Sequence, residues 1–180
     1  DYFDFAPFRK LYLKEALILD YNPDKVRKIS SEVLGALARL EDLKRLPEKE
    51  FLADPHKIGS AKYNLIVAIE GAVDLCNHII AKNGLRTPED YADTFRVMEE
   101  KGAFDPEFTN SLIQMARFRN RLVHIYWDID DAELFRIIHT RLPDVRRFLK
   151  DFGNFIGISK IECSWIVSLF SLMTYPLTFW

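Results

Sequence analysis

Apolar residues recur at spacings of three and four along most of the chain, and apolar and polar residues never alternate for long. The first clear stripe follows Asn22 and Pro23, which predict an N-cap and a first helical residue. The members of this stripe are Val26, Ile29, Val33, Leu37, Leu40 and Leu43. Such spacing places all of them on one helix face. The pattern therefore predicts an amphipathic helix within residues 22–46.

Four further helices are predicted from the same periodicity and from start and stop signals. They occupy residues 56–84, residues 87–102 with Thr87 as N-cap, residues 105–127, and residues 130–153 with a break or kink near Pro143. Residues 47–55 interrupt the pattern and are predicted to be a connection. The chain is therefore predicted to be all-α, a four- to five-helix up-down bundle.

The two ends of the chain differ from this central part. Residues 1–19 are aromatic-rich and amphipathic, which predicts an extension that packs on the bundle or ends a preceding domain. Residues 20–153 form the predicted bundle. Residues 154–180 form an apolar extension of unknown role, whose uncharged part is at the short end of membrane-spanning length. A packed or added segment is the favoured interpretation, and no membrane is expected.

Composition narrows the classes of function. Apolar content of 48% and charged content of 29% are typical of a soluble globular protein. The net charge of -2 argues against a strongly basic nucleic-acid surface, although it permits a local basic groove. Cys76 and Cys163 lack metal-ligand spacing, and the four histidines are dispersed, so no metal site is predicted. A reducing cytoplasm is the expected location.

The stretch MARFRNRLVHIYWDID, residues 115–130, places three arginines and a histidine among apolar residues. On a helical wheel, Met115, Phe118, Leu122, Ile125 and Tyr126 form one apolar arc, and Ile113, Ala116, Val123 and Trp127 form a second. Arg119 lies at the edge of the first arc, and His124 lies about 140° away. Two apolar arcs predict a helix that is buried centrally or packed against a second chain. Dimerisation through this helix would bring the two polar groups into one cleft.

These residue types have a definite chemistry. An imidazole can act as general base or acid, and a guanidinium can bind a phosphate bidentately and stabilise its developing charge. Asn120 adds a neutral donor and acceptor on the face of His124. Together they suit metal-independent cleavage of RNA by its own 2′-hydroxyl. The alternative from spacing alone is that the arginines pair with the aspartates of residues 128–131 and that His124 is a buried, hydrogen-bonded histidine.

The segment RNRLVHIY resembles the Arg-x4-His-x-Tyr signature of HEPN ribonuclease toxins, the kind paired with minimal-nucleotidyltransferase antitoxins. The resemblance extends through DYNPDKVRKISSEVLGALARLEDL, AIEGAVDLCNHIIAKNGLRTPEDYADTF and DIDDAELFRIIHTRLPDVRRFLKDF, about residues 20–153. It implies a homodimeric helical bundle that cleaves tRNA or mRNA without a cofactor. It also implies that Arg119, His124 and Asn120 are catalytic. Tyr126 matches a tyrosine that the partner antitoxin modifies with AMP in some members.

Other polar residues receive weaker assignments. Arg117 and Arg121 are expected to bind RNA phosphate or to form ion pairs across a dimer. Asp74, Asn77 and His78 look like the family's pattern and are expected either to line the cleft or to make buried hydrogen bonds. The runner-up function is a non-catalytic helical dimer that binds a nucleotide or a nucleotidyltransferase partner.

Overall fold

The computed structural model describes residues 19–124 and 129–158, and these ranges contain six α-helices and no β-strand. The helices are α1 Pro23–Lys44, α2 Glu48–Leu52, α3 Pro55–Lys82, α4 Tyr91–Glu100, α5 Pro106–His124 and α6 Asp131–Phe155. Five of them are the predicted long helices, so the all-α prediction is confirmed. Predicted extensions 1–19 and 154–180 lie almost entirely outside the described ranges.

Helix α1 begins where its N-cap predicts. The Asn22 side-chain oxygen accepts from the backbone N–H groups of Asp24 at 3.0 Å and Lys25 at 3.1 Å. Its start is tied to the end of α3, because the Asn22 N–H donates to His78 Nε2 at 2.9 Å. Residues 45–54, which include the short helix α2, join the other end of α1 to the start of α3. The two helices are therefore antiparallel, and they make the most extensive helix–helix contact of the described bundle.

The prediction that residues 47–55 are only a connection is wrong. They contain the short helix α2, and the aromatic ring of Phe51 explains why. Phe51 is fully buried, with its ring centroid 5.4 Å from that of Phe135 on α6. One helical turn directs this ring into the core while satisfying most of the local backbone hydrogen bonds. Too few apolar residues lie in the segment to give a periodic signal.

Helix α4 begins later than predicted. Its N-cap is Asp90, whose carboxylate accepts from the Asp93 N–H at 2.7 Å, and Thr87 lies outside the helix. Asp93 holds the preceding loop, since its carboxylate accepts from the Glu89 N–H at 3.0 Å and from the Arg86 guanidinium at 2.6 and 3.0 Å. These bonds keep residues 86–89 in the loop. Thr87 and Asp90 are both residue types that can cap a helix. The hydrogen bonds that Arg86 and Glu89 donate to Asp93 hold Thr87 in the loop, so the helix begins after Asp90.

Helix α6 is not broken at Pro143. The helix continues through this residue to Phe155, with Pro143 exposed on its outer face. A proline inside a helix removes one backbone hydrogen bond. Leu142 and Val145 on either side are buried in the core, and their burial offsets that loss.

Helix α3 is the central element of the described bundle, and most of its middle is buried. It is the one described helix long and apolar enough to cross a membrane by composition, and 67% of its apolar window is buried inside the protein. That burial is typical of a core helix. Gly71 lets α1 approach closely, because a Cβ built there would lie 2.4 Å from Val33 Cγ2. Helix α3 thereby holds α1 on one side and α4, α5 and α6 on the others.

Candidate functional site

Helix α5 carries the Arg119–His124 segment and ends the first described range. Asp105, the first residue of the predicted range 105–127, caps its start by accepting from the Phe108 N–H at 2.9 Å. Arg147 of α6 lies over the Phe108 ring, with 4.1 Å between the guanidinium carbon and the ring centroid. The start of α5 is therefore fixed by α6, and its far end carries the candidate residues beside α3 and α4.

Arg119 is held between two other helices. Its guanidinium forms an ion pair with Glu70 of α3 and lies over the ring of Tyr91, the first residue of α4, 4.9 Å from the ring centroid. The Arg119 side chain is only 13% exposed, and that of Glu70 is 31% exposed. Burial lowers the pKa of Arg119 from its ordinary value, but a guanidinium in a protein keeps its proton. Arg119 is thus a protonated, anchored guanidinium.

The remaining N–H groups of Arg119 are only partly used. Its Nη1 donates to Asn120 Oδ1 at 3.2 Å, which links the first two predicted catalytic residues. Its buried Nε has no hydrogen-bond partner among the described residues. An unpaired buried donor costs free energy, and sites of function are places where such donors are retained. The Arg119 guanidinium is therefore held by Glu70 and Tyr91, and its Nε–H group remains an unused donor.

His124 is the last residue of α5 and is exposed to solvent. No hydrogen bond or ion pair of His124 is formed within the described ranges, so the predicted alternative of a buried, hydrogen-bonded histidine is wrong. Because α5 is continuous through both residues, Arg119 and His124 lie about 140° apart around its axis. One copy of the helix therefore presents the two groups on different faces, as the sequence predicted.

Asp130 and Asp131, the described aspartates that follow α5, have partners other than Arg119. Asp130 caps α6 by accepting from the Ala132 N–H at 3.1 Å. Asp131 forms an ion pair with Lys62 Nζ at 3.0 Å. Arg121 pairs with Glu133, at 3.1 Å. Residues 125–128, which include the predicted modification site Tyr126, lie outside the described ranges.

Only part of the second apolar arc is available to a partner. Ile113 and Ala116 are buried within the same chain, at 6% and 1% exposure, so at these positions the helix is central rather than free. Val123 of the same arc is 42% exposed. Arg117 is exposed and forms no ion pair within the described ranges. Among the described residues, the exposed positions near His124 at the end of α5 therefore include the apolar Val123 and the cationic Arg117.

The three polar residues singled out on α3 have different surroundings. Asp74 is exposed. Asn77 Oδ1 accepts from the Thr94 hydroxyl at 3.4 Å. His78 is buried, and its Nε2 accepts from the Asn22 N–H, which requires an unprotonated nitrogen. Burial lowers the pKa of His78, with smaller contributions from nearby lysines. His78 has the buried hydrogen-bonding role that was the alternative to lining a cleft.

Glu70 and Tyr91 are the residues that sequence reasoning missed. A signal existed for Glu70, because it is a lone carboxylate in the apolar stretch NLIVAIEGAV of α3. A charged residue in such a stretch calls for a partner. Tyr91 gave no comparable signal, since an aromatic residue in the first turn of a helix is most often part of the core. Glu70 and Tyr91 together fix the Arg119 guanidinium, whose buried Nε has no partner among the described residues.

The chain is similar to known proteins both in sequence and in fold. The model of the family described as Ribonuclease HepT-like matches residues 33–152. The mRNA nuclease HepT of Shewanella oneidensis is 28% identical over 99 residues, 55% of this chain and 69% of that protein. The tRNA nuclease HepT of Aphanizomenon flos-aquae is 28% identical over 90 residues, 48% of this chain and 59% of that protein. A solved structure of the tri-AMPylated Shewanella oneidensis HEPN toxin in complex with MNT antitoxin has a TM-score of 0.68 at 20% identity, covering 74% of this chain and 99% of that chain.

Proposed function

The chain belongs to the Ribonuclease HepT-like family, and from that membership we propose that it is the ribonuclease toxin of a toxin–antitoxin pair, acting on tRNA or mRNA in the cytoplasm. The matched residues include all of α5 and therefore both members of the Arg119–His124 pair. The observation that carries the proposal is the contrast between these two side chains. Arg119 is anchored by Glu70, and His124 is exposed at the end of α5.

The proposed reaction needs only these groups and the RNA. The ribose 2′-oxygen attacks the adjacent phosphorus, the bond from phosphorus to the 5′-oxygen breaks, and the products carry a 2′,3′-cyclic phosphate and a 5′-hydroxyl. His124 takes the 2′-hydroxyl proton or gives a proton to the leaving oxygen. Arg119 stabilises the negative charge that develops on the phosphate, and Asn120 contributes a neutral hydrogen bond. No metal takes part in this proposed mechanism.

A homodimer supplies the geometry that one helix lacks. Arg119 and His124 lie on different faces of a continuous helix, so a second α5 across a two-fold axis brings an arginine of one copy toward a histidine of the other. The exposed Val123 beside His124 is suited to that contact. The dimer therefore forms part of the proposed active unit.

The proposed inhibition acts at Tyr126, one heptad after Arg119 in the sequence. A nucleotidyltransferase antitoxin transfers AMP from ATP to the phenol oxygen, with release of pyrophosphate. The added phosphate competes with RNA for Arg119 and repels the backbone of the substrate. The AMPylated toxin from Shewanella oneidensis, which shares this fold, supports the assignment.

Cleavage assays test the catalytic assignment. Arg119→Ala and His124→Ala are each expected to lower kcat/KM for RNA by about a thousandfold, since removal of one group that stabilises transition-state charge or transfers a proton has effects of this order. Activity is expected to persist in EDTA. The matched controls are Arg45→Ala and His56→Ala, which change exposed residues away from the site. Unchanged cleavage by the two site variants would reject the assignment, and intact RNA with the unaltered protein would favour a non-catalytic binding dimer.

The modification is tested by intact mass after co-expression with the antitoxin. One or more AMP units are expected on the Tyr126 peptide, together with loss of cleavage. Tyr126→Phe is expected to accept no AMP and to stay active in the presence of the antitoxin. An unmodified protein that the antitoxin still inhibits would contradict this part of the proposal.

A further inference from the structure

A second candidate site lies in an open groove between α1 and α3. The groove has a volume of about 1110 Å³. Its cationic and central lining residues are Arg27, Lys28, Arg39, Tyr63, Asn64 and Val67. Two carboxylates, Asp24 and Glu32, also line it, and Asp24 pairs with Arg27 at 2.8 Å. Small residues on α1, Ser31 and Gly35, leave the space open.

One polar side chain in the groove is buried without a full set of partners. Asn64 is 3% exposed, and its amide nitrogen donates to the Ser60 carbonyl at 2.7 Å. Its Oδ1 accepts no hydrogen bond from the described residues. A buried acceptor without a donor is costly, and a hydroxyl or amine of a ligand would satisfy it. This observation distinguishes the groove from an ordinary solvated furrow between helices.

Tyr63 gives the groove an aromatic surface. Its side chain is 66% exposed, the largest exposure among the large apolar residues of the described ranges. Lys28 and Arg39 lie across the groove from α3 and form no ion pairs within the described ranges. An exposed ring beside cations is the arrangement by which proteins hold single-stranded nucleic acid, with bases on the ring and phosphates on the cations.

The groove adjoins the Arg119 site along α3. Tyr63, Val67, Glu70 and Asp74 follow one another at spacings of three and four and so lie on one ridge of the helix. Val67 lines the groove, and Glu70, one turn further, holds Arg119. The Cβ atoms of such neighbours are about 5–6 Å apart. A chain bound at Arg119 can therefore cross the ridge directly into the groove.

We propose that the α1–α3 groove binds the single-stranded RNA next to the cleaved bond, with a base on Tyr63, phosphates on Lys28 and Arg39, and a ribose hydroxyl or base amine toward Asn64. This inference rests on the proposed ribonuclease function. It resolves the conflict between the net charge of -2 and an RNA substrate, because the binding field is local.

The test measures binding separately from cleavage. The full chain carrying His124→Ala is titrated into a fluorescein-labelled single-stranded RNA of about a dozen nucleotides, and anisotropy is recorded. Adding Tyr63→Ala is expected to weaken binding at least about fivefold, and Tyr63→Phe to restore it. Adding Lys28→Gln with Arg39→Gln is expected to lower the slope of log affinity against log salt by about 1.4. The matched controls are Leu52→Ala and Lys101→Gln with Lys150→Gln.

A second measurement separates this inference from the function on which it rests. With His124 intact, Tyr63→Ala is expected to slow cleavage of the RNA of about a dozen nucleotides, here called the long RNA. The same change is expected to leave cleavage of a dinucleotide, which is too short to reach the groove, unchanged. If the unaltered protein cuts no RNA, the proposed function fails, and the anisotropy series still decides the groove. Undiminished binding by Tyr63→Ala overturns the inference. So does equal affinity for AMP and the long RNA, or a sedimentation change showing that Tyr63→Ala separates two copies.

Discussion

The Glu70–Arg119 pair yields a prediction that separates positioning from simple charge balance. Replacing Glu70 by Ala leaves the Arg119 guanidinium beneath α4 without its anionic partner. Removing one partner of a fully buried pair costs about 3–5 kcal/mol. Here Glu70 is 31% exposed and Arg119 13% exposed, so solvent screening reduces the cost to about 1–2 kcal/mol. In a chain of this size that corresponds to a fall in Tm of roughly 3–6 °C.

The functional effect should exceed the effect on stability. Without Glu70 the guanidinium is free to turn toward water, and a displacement of about 1 Å at a reacting group lowers rate by about a hundredfold. We therefore expect Glu70→Ala to reduce kcat/KM for RNA about 10- to 100-fold while the protein stays folded at the assay temperature. Glu70→Gln keeps the shape of the side chain, and its kcat/KM should lie between that of the unaltered protein and that of Glu70→Ala.

The assay combines cleavage rates with urea denaturation, and Glu107→Gln is the matched control. Glu107 lies at the opposite end of α5 from Arg119, is exposed and forms no ion pair within the described ranges, so its replacement should leave both quantities nearly unchanged. A double-mutant cycle adds the decisive comparison. Glu70→Ala with Arg119→Ala should be about as stable as Arg119→Ala alone, since the carboxylate then has nothing to hold. Additive losses of stability in the two single variants would refute the positioning role of Glu70. Faster cleavage by Glu70→Ala would also refute it and would show that Glu70 competes with RNA for Arg119.

Two further predictions concern the scaffold. Gly71→Ala should lower the free energy of unfolding by about 1–3 kcal/mol, because its Cβ would meet Val33 Cγ2 at 2.4 Å, whereas Gly59→Ala, with open space around it, should raise it by about 0.5–1 kcal/mol. If Gly71→Ala had the same free energy of unfolding as Gly59→Ala in urea denaturation, α1 and α3 would be able to move apart without an energetic cost. Hydrogen bonds from Arg86 hold the pKa of Asp93 at about 2, below the ordinary 3.8. The stability contributed by this group is therefore present above pH 3.8 and is lost as the pH falls toward 2. Asp93→Asn should destabilise the protein by about 1–2 kcal/mol at neutral pH. It should also reduce the fall in the free energy of unfolding between pH 3.8 and 2, and an unchanged fall would show that Asp93 is not its source.

The sequence predicted local features well because their causes are local. Asn22 and Asp105 were identified as helix starts, and each side chain accepts a hydrogen bond from a nearby backbone N–H. The opposite placement of Arg119 and His124 follows from helix geometry alone and needs no tertiary information. Short-range rules therefore account for the existence of the five long helices and for the two faces of α5.

Features that depend on partners far along the chain could not be predicted in this way. Arg119 is paired with Glu70 of α3, which lies 49 positions before it in the sequence. Asp131 is taken by Lys62, also of α3. The path of α3 beside α5 and α6 decides both pairings, and no spacing rule encodes that path. Helix α2 could not be predicted for the same reason, because the Phe51 ring is buried against Phe135 of α6.

The division of Arg119 and His124 between two faces of α5 has a genetic consequence. In a dimer whose sites each take Arg119 from one copy and His124 from the other, a mixed dimer of Arg119→Ala and His124→Ala chains holds one intact site and one doubly defective site. Random assortment of the two chains then restores about a quarter of the original sites. Two alleles that are each harmless alone would therefore complement one another, and toxicity would reappear in a cell that carries both.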